Sequence, residues 1–381
     1  MKCIINGKII LPNAVLEDYV IVFDSKIQKI AKKDEVNLSD YEIIDAKGNY
    51  VAPGLVDMHI HGYFNADASD GFADGIRTMA MGIIQNGVTA WCPTTMTVSK
   101  KEIEDAFDSI REVKSQNEYY GARILGVNSE GPFINAAKKG AQAEEHILIP
   151  DADFIKKHSD LIKVFTVAPE VDGALECIKR VTEETDVLIS MGHTNATFEE
   201  ANAGIEAGVR HTTHLFNAMT ALTHRAPGVV GAALADERVS VELIADTFHV
   251  NKGLFKLVSK IKGDKLCLIT DCIRAGGMPD GDYTLGGQPV HKEGIKCLMQ
   301  DGTIAGSVLK LNQAVYNVFA NTDLPIYVAV AAASLNPAKA LKVDDEIGSL
   351  EVGKRADIII ADESFNVNTT VLGGEIVFKG E

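Results

Sequence analysis

The chain has 381 residues, of which 46% are hydrophobic, and a formal net charge of −16. That length can bury one large core plus a small accessory domain, and the composition excludes a fibrous or disordered protein. The acidic balance argues against a nucleic-acid-binding surface, which draws its affinity from clustered Lys and Arg. An anionic small molecule would therefore need a local basic pocket.

The opening MKCIINGKIILPN has no apolar stretch long enough for a signal peptide, and no later window approaches a membrane span, so a cytoplasmic protein is expected. Short β-like runs follow one another at the start: CIINGKIILPN, YVIVFDSKIQKIA and YEIIDAKGNYVAPG, separated by Asn-Gly and Lys-Gly turn signals. The far end, IGSLEVGKRADIIIADESFNVNTTVLGGEIVFKG, reads as four more short strands. The two ends are expected to pair into one small β-sandwich domain, residues 1–52 with 343–381.

Between them, residues 53–342 alternate apolar β-branched runs with charged helical segments, the pattern of repeated βα units. Eight strands are predicted, in VAPGLVDMHIHG, GVTAWCPTT, ARILGVNSEGP, IKVFTVAPE, VLISMGHTN, VRHTTHLFN, VSVELIADTFHV and KLCLITDCI. Helices such as KKEIEDAFDSIREVKS and FEEANAGIEAG follow them. Eight such units predict an α/β fold, a (β/α)8 TIM barrel, rather than a doubly wound sheet.

The six cysteines (Cys3, Cys92, Cys177, Cys267, Cys272 and Cys297) form no CxxC pair and read as reduced, mostly structural residues.

Polar residues fall at one end of these runs. His59 and His61 end the first, Glu130 the third, His193 the fifth, His214 the sixth, His249 the seventh and Asp271 the eighth. All strand C-termini of a barrel converge on one face, so these side chains are expected to meet. A lone histidine near a strand end is more often a hydrogen-bonded core or rim residue than a ligand, but that reading becomes strained for the whole set. The spacing of His59 and His61 puts both imidazoles on one face of a strand. Nitrogen and carboxylate donors together suit zinc or another borderline divalent ion better than calcium or magnesium. Glu130, before Gly131-Pro132, reads either as a ligand or as a turn cap. Asp271, after KLCLIT, reads either as a general acid/base beside a metal or as a helix N-cap.

The segments PGLVDMHIHG, SEGPF, MGHTNAT, THLFNAM with HRAPGVVGAAL, ADTFHV and TDCIRAGGMPDG resemble the amidohydrolase superfamily, and within it the N-acetylglucosamine-6-phosphate deacetylases, over essentially the whole chain. The HxH pair and the strand-eight Asp belong to the superfamily at large; SEGPF, GHTNAT and HLFNAM followed by HRAPG are particular to the deacetylases. The resemblance implies that Glu130, His193 and His214 hold the principal metal and that Asp271 shuttles a proton. It implies that Asn217, the Ala218 backbone, Arg225 and His249 contact a sugar phosphate, and Gln142 and Ile304 are placed with them. Some members replace the HxH pair and work with one ion; here His59 and His61 are both present, so one or two ions per subunit are expected. Zinc is the first expectation for the metal, with iron, cobalt or manganese as alternatives. The strand-four lysine that bridges two metals in dihydroorotases and hydantoinases is absent: Lys163 starts that strand instead of ending it. At the position twelve after the strand-three Glu, some deacetylases have His where this chain has Gln142. The family also implies a homodimer that shares a phosphate contact between subunits. Two rival readings are a deacetylase of another N-acetylated amino sugar and an inactive metal-binding scaffold.

Overall fold

The computed structural model describes residues 1–116 and 121–380. The eight predicted strands all form. They are β1 (Leu55–Ile60), β2 (Val88–Thr95), β3 (Val127–Phe133), β4 (Ile162–Val167), β5 (Leu188–Met191), β6 (His211–Thr212), β7 (Ser240–Ile244) and β8 (Leu266–Ile269). Each pairs in parallel with the next, from β1 to β8. The ring closes where Ile60 bridges Cys272 and the Asp271 N–H donates to the His59 carbonyl at 2.9 Å. The fold is thus a (β/α)8 barrel.

The strands are Val-, Ile- and Leu-rich because they are covered on both faces, outside by helices and inside by one another. Helix Lys100–Ser115 starts at a capping box between Ser99 and Glu102, and Phe198–Ala207 at one between Thr197 and Glu200. Both coincide with the helices expected from KKEIEDAFDSIREVKS and FEEANAGIEAG. Among the described residues no helix is long and apolar enough to cross a membrane.

The two ends of the chain share a sheet. Strand Tyr50–Pro53 runs antiparallel to Ile358–Ala361, within a six-stranded sheet ordered Glu375–Lys379, Val367–Leu372, Ile358–Ala361, Tyr50–Pro53, Lys8–Leu11, Ala14–Leu16. A four-stranded sheet of N-terminal strands faces it, and Ile4, Ile21 and Phe23 from one pack with Val51, Ile358 and Val371 from the other. This is the small β-sandwich. The C-terminal segment supplies three strands, not four: IGSLEVGKR forms turns, with a single bridge from Arg355 to Lys26. A further antiparallel sheet, Gly281–Leu285, Gln288–Glu293 and Lys296–Met299, interrupts the barrel between β8 and helix Leu311–Ala320, where the sequence was read as a direct passage from strand to helix.

All six cysteines are buried and free, consistent with the structural reading.

Because Ile358 is fully buried where the two ends pair, Ile358→Ala should cost about 2–5 kcal/mol. A urea midpoint indistinguishable from wild type would show that this seam contributes nothing to stability.

Candidate metal centre at the mouth of the barrel

The cavity at the C-terminal ends of the strands holds about 380 Å³ and is lined by His61, Glu130, His193, His214, His249 and Asp271, with Gln142, Asn217, Ala218 and Ile304 around them. A larger cavity of about 570 Å³ lies at the opposite end, with Lys163 and Arg210 in its wall and no histidine. Lys163 therefore sits away from the imidazoles.

His59 is completely buried beneath the cavity floor near the end of β1, two residues before His61, which lies just past that strand. Glu130 is the hub. Its Oε1 lies 2.9 Å from His214 Nε2, 3.2 Å from His193 Nε2 and 3.4 Å from His59 Nε2; its Oε2 lies 3.2 Å from His61 Nε2. Asp271 Oδ1 stands 3.2 Å from His61 Nε2 and 3.5 Å from His59 Nε2. The donors fall into two sets, His59–His61–Asp271 and Glu130–His193–His214.

Glu130 does not end its strand as expected. β3 continues to Phe133 through a register shift that begins at Glu130, and Gly131 takes φ +97° where a Cβ would come within 2.1 Å of Thr97 Oγ1. The strand bends and aims the carboxylate inward. His193, His214 and Asp271 each lie two residues past the ends of β5, β6 and β8, at φ +46°, +29° and +50°. His249 lies five residues beyond β7, not at its end; Asp246 holds it there, accepting the His249 N–H at 2.8 Å and meeting Nδ1 at 2.6 Å.

The ring tautomers follow from the partners. His61 Nδ1 faces the Thr94 carbonyl at 3.1 Å and His193 Nδ1 the Lys138 carbonyl at 2.9 Å; a carbonyl only accepts, so each Nδ1 carries a proton. In the neutral rings Nε2 is then a lone pair turned to the centre. Yet His193 and His214 bring their Nε2 atoms to 3.1 Å, and His59 and His61 to 3.3 Å. Pairs of inward lone pairs around a shared carboxylate are the donor chemistry of a divalent cation, so these residues fit one.

Without a cation, protons take its place. Burial works against a charged His59, but Glu242, Glu130 and Asp271 outweigh it and lift its pKa to about 9. His61 and His193 are raised for the same reason, their burial offset by Glu130 and Asp271. Glu130 and Asp271 are lowered, despite burial, by the imidazoles around them.

Gln142 is buried with its amide divided: Nε2 donates to Glu130 Oε2 at 2.5 Å and Oε1 accepts the Thr97 N–H at 2.7 Å. Asn217 spends its amide nitrogen on the His214 and Leu215 carbonyls, and the Ala218 carbonyl accepts the Thr194 N–H; both residues line the cavity. Ile304 forms part of an apolar wall with Leu285 and Met96. Arg225 and His224 are exposed on the loop before helix Gly228–Ala235 and do not line this cavity. Lys138 does line it, whereas Lys139 reaches Glu144 at 3.8 Å.

Three residues escaped the sequence reading. Glu242 on β7 is fully buried against His59, His211 and the His214 backbone; Glu170 ties down Asn135, Thr194 and Asn195; Asp246 holds His249. The available signal was a carboxylate inside or directly after an apolar strand.

Because His59 holds a proton up to about pH 9, a divalent cation bound there at pH 7 must displace it. Metal addition to the stripped protein in weak buffer should release protons, and affinity should rise with pH toward 9. A pH-independent affinity would remove His59 from the ligand set.

Comparison with known proteins places this geometry. The amidohydrolase family profile matches residues 50–377. The N-acetylglucosamine-6-phosphate deacetylase of Bacillus subtilis (strain 168) is 37% identical, covering 97% of this chain and 95% of that one. The N-acetylgalactosamine-6-phosphate deacetylase of Escherichia coli O157:H7 is 35% identical over 88% of this chain and 89% of its own. The crystal structure of N-acetylglucosamine-6-phosphate deacetylase from Pasteurella multocida superposes with a TM-score of 0.93 at 31% identity, over 98% of this chain and 99% of that one. This chain belongs to the amidohydrolase family, in the branch that holds the N-acetylglucosamine-6-phosphate deacetylases.

Proposed function

We propose that this protein hydrolyses the acetamide of N-acetyl-D-glucosamine 6-phosphate to acetate and D-glucosamine 6-phosphate with a divalent metal ion, zinc first among the candidates. The observation that carries the reading is the shared Glu130 carboxylate between two imidazole sets, with Asp271 beside it, in a chain that aligns nearly end to end with such deacetylases. The principal ion is assigned to Glu130, His193 and His214, and a second to His59 and His61, with Asp271 beside them as the proton acceptor.

When bound, the ion supplies acidified water, whose pKa falls from ~15.7 to about 7, and polarises the carbonyl. The chain's own residues do the rest. Asp271 accepts the proton of the attacking water and returns it to the departing amine nitrogen. Gln142 holds Glu130 in place from the cavity wall and is kept among the substrate contacts. His249, the Ala218 N–H, Asn217 and Ile304 shape the sugar site. Arg225 offers a planar fork to the phosphate; exposed and outside its own chain's cavity lining, it is read as reaching the cavity of a second subunit in a homodimer. The protein is read as cytoplasmic.

The C4 epimer is a competing substrate, since a relative of nearly equal identity is an N-acetylgalactosamine-6-phosphate deacetylase. Acetate release from both phosphorylated sugars, from unphosphorylated N-acetylglucosamine and from metal-stripped enzyme tests the reading. We expect the highest kcat/KM on N-acetylglucosamine 6-phosphate and loss on stripping. Arg225→Ala should raise KM for the phosphorylated sugar far more than for the free one; an equal loss for both would sink its role.

Asp271→Asn keeps the size of the side chain but cannot accept a proton. Bound metal and KM should stay near normal while kcat falls by ~10² or more. Near-normal turnover would pass the shuttle to another residue, His249 being the next candidate.

A further inference from the structure

Glu242 is a carboxylate in the closed interior of the barrel, at the centre of β7, with no exposed surface. An anion there is costly unless its partners are specific, and no lysine or arginine reaches it among the described residues. Its two oxygens are divided. Oε2 meets His59 Nδ1 at 2.9 Å and accepts the His214 N–H at 3.0 Å; Oε1 meets His211 Nε2 at 3.2 Å, and His211 Nδ1 in turn meets Ser240 Oγ at 2.6 Å.

The hydrolytic steps above do not use this residue, and fold stability alone gives no reason for a charge at this place. Its partners do. His61 and His193 are each oriented by a neutral backbone carbonyl, whereas the one acceptor at His59 Nδ1 is an ionised side chain. A carboxylate in that position fixes the tautomer, limits ring rotation and makes the opposite nitrogen a stronger donor. The same oxygen also holds the backbone at His214, which sits at φ +29° and belongs to the other donor set.

We propose that Glu242 is a positioning residue for metal binding: it turns His59 Nε2, as a lone pair, toward the His59–His61–Asp271 set, and through one oxygen joins that set to the His214 backbone. The proposal rests on the metal reading above but not on the identity of the substrate.

The test is a Co²⁺ titration of the metal-stripped full-length protein, read by visible absorption and by equilibrium dialysis. Glu242→Gln should weaken the ion that depends on His59 by about 10- to 100-fold. His59→Ala should weaken the same ion, and the double variant should lose no more than His59→Ala alone, because Glu242 acts through that ring. Unchanged affinity in Glu242→Gln overturns the proposal, as does a loss in the double variant equal to the product of the single losses. Should Glu242→Gln fail to fold, Glu242→Asp keeps the charge and withdraws it by one methylene; weakened, non-additive binding supports the proposal and wild-type affinity overturns it. A wild-type protein that binds Co²⁺ but releases no acetate from either phosphorylated sugar rejects the deacetylase reading and leaves this result standing.

Discussion

One carboxylate organises the active end of this molecule. Glu130 is almost fully buried, yet four imidazole nitrogens from three other strand ends lie within 3.4 Å of it. A closed parallel barrel is what makes such convergence attainable, since it alone brings the C-termini of β1, β3, β5 and β6 to a common axis. The same crowding would be unfavourable without positive charge at its centre. Protons supply that charge in the raised imidazoles, and a divalent cation supplies it with better geometry, so folding the barrel and creating demand for a metal are one event.

Holding these groups in place requires backbone that L-residues otherwise avoid. His193, His214 and Asp271 all adopt left-handed conformations, at about 1–3 kcal/mol each, just where their strands stop. Rigid neighbours hold them there. The Asn135 N–H donates to the His193 carbonyl, the His214 N–H to Glu242, and the Asp271 N–H to the His59 carbonyl, so each strained residue is fastened to a different strand or loop. The centre is thereby fixed by the barrel as a whole instead of by any single loop.

Much of this was legible in the sequence. Eight apolar runs became eight strands because β-branched residues buried on both faces leave a continuous signal, and His or Asp closing such a run marked the pocket end. What escaped notice lay inside the runs or beyond them. Glu242 was passed over as part of VSVELI, since an alternating strand hides one inward charge among apolar neighbours. The sheet from Gly281 to Met299 was missed because its hairpins, turning at Gly286-Gly287 and Gly294, resemble a polar connection. The expected fourth C-terminal strand failed because IGSLEVGKR is spent on turns, with Gly348 and Gly353 at positive φ. Arg225 illustrates a different limit: a motif can name a residue without saying whether it lines its own chain's cavity.

The seam between the two chain ends bears on when the centre can come into being. Strand Tyr50–Pro53 passes, with only Gly54 between, into β1, the strand that carries His59 and His61, and its sheet neighbour is Ile358–Ala361. A growing chain emerging from the ribosome therefore presents its first histidines long before the segment that anchors their strand exists. Until residues beyond 358 are synthesised, Tyr50–Pro53 has an open edge on that side and β1 lacks its fastening at the root. The root of β1 is consequently completed only once Ile358–Ala361 has been made and paired with Tyr50–Pro53.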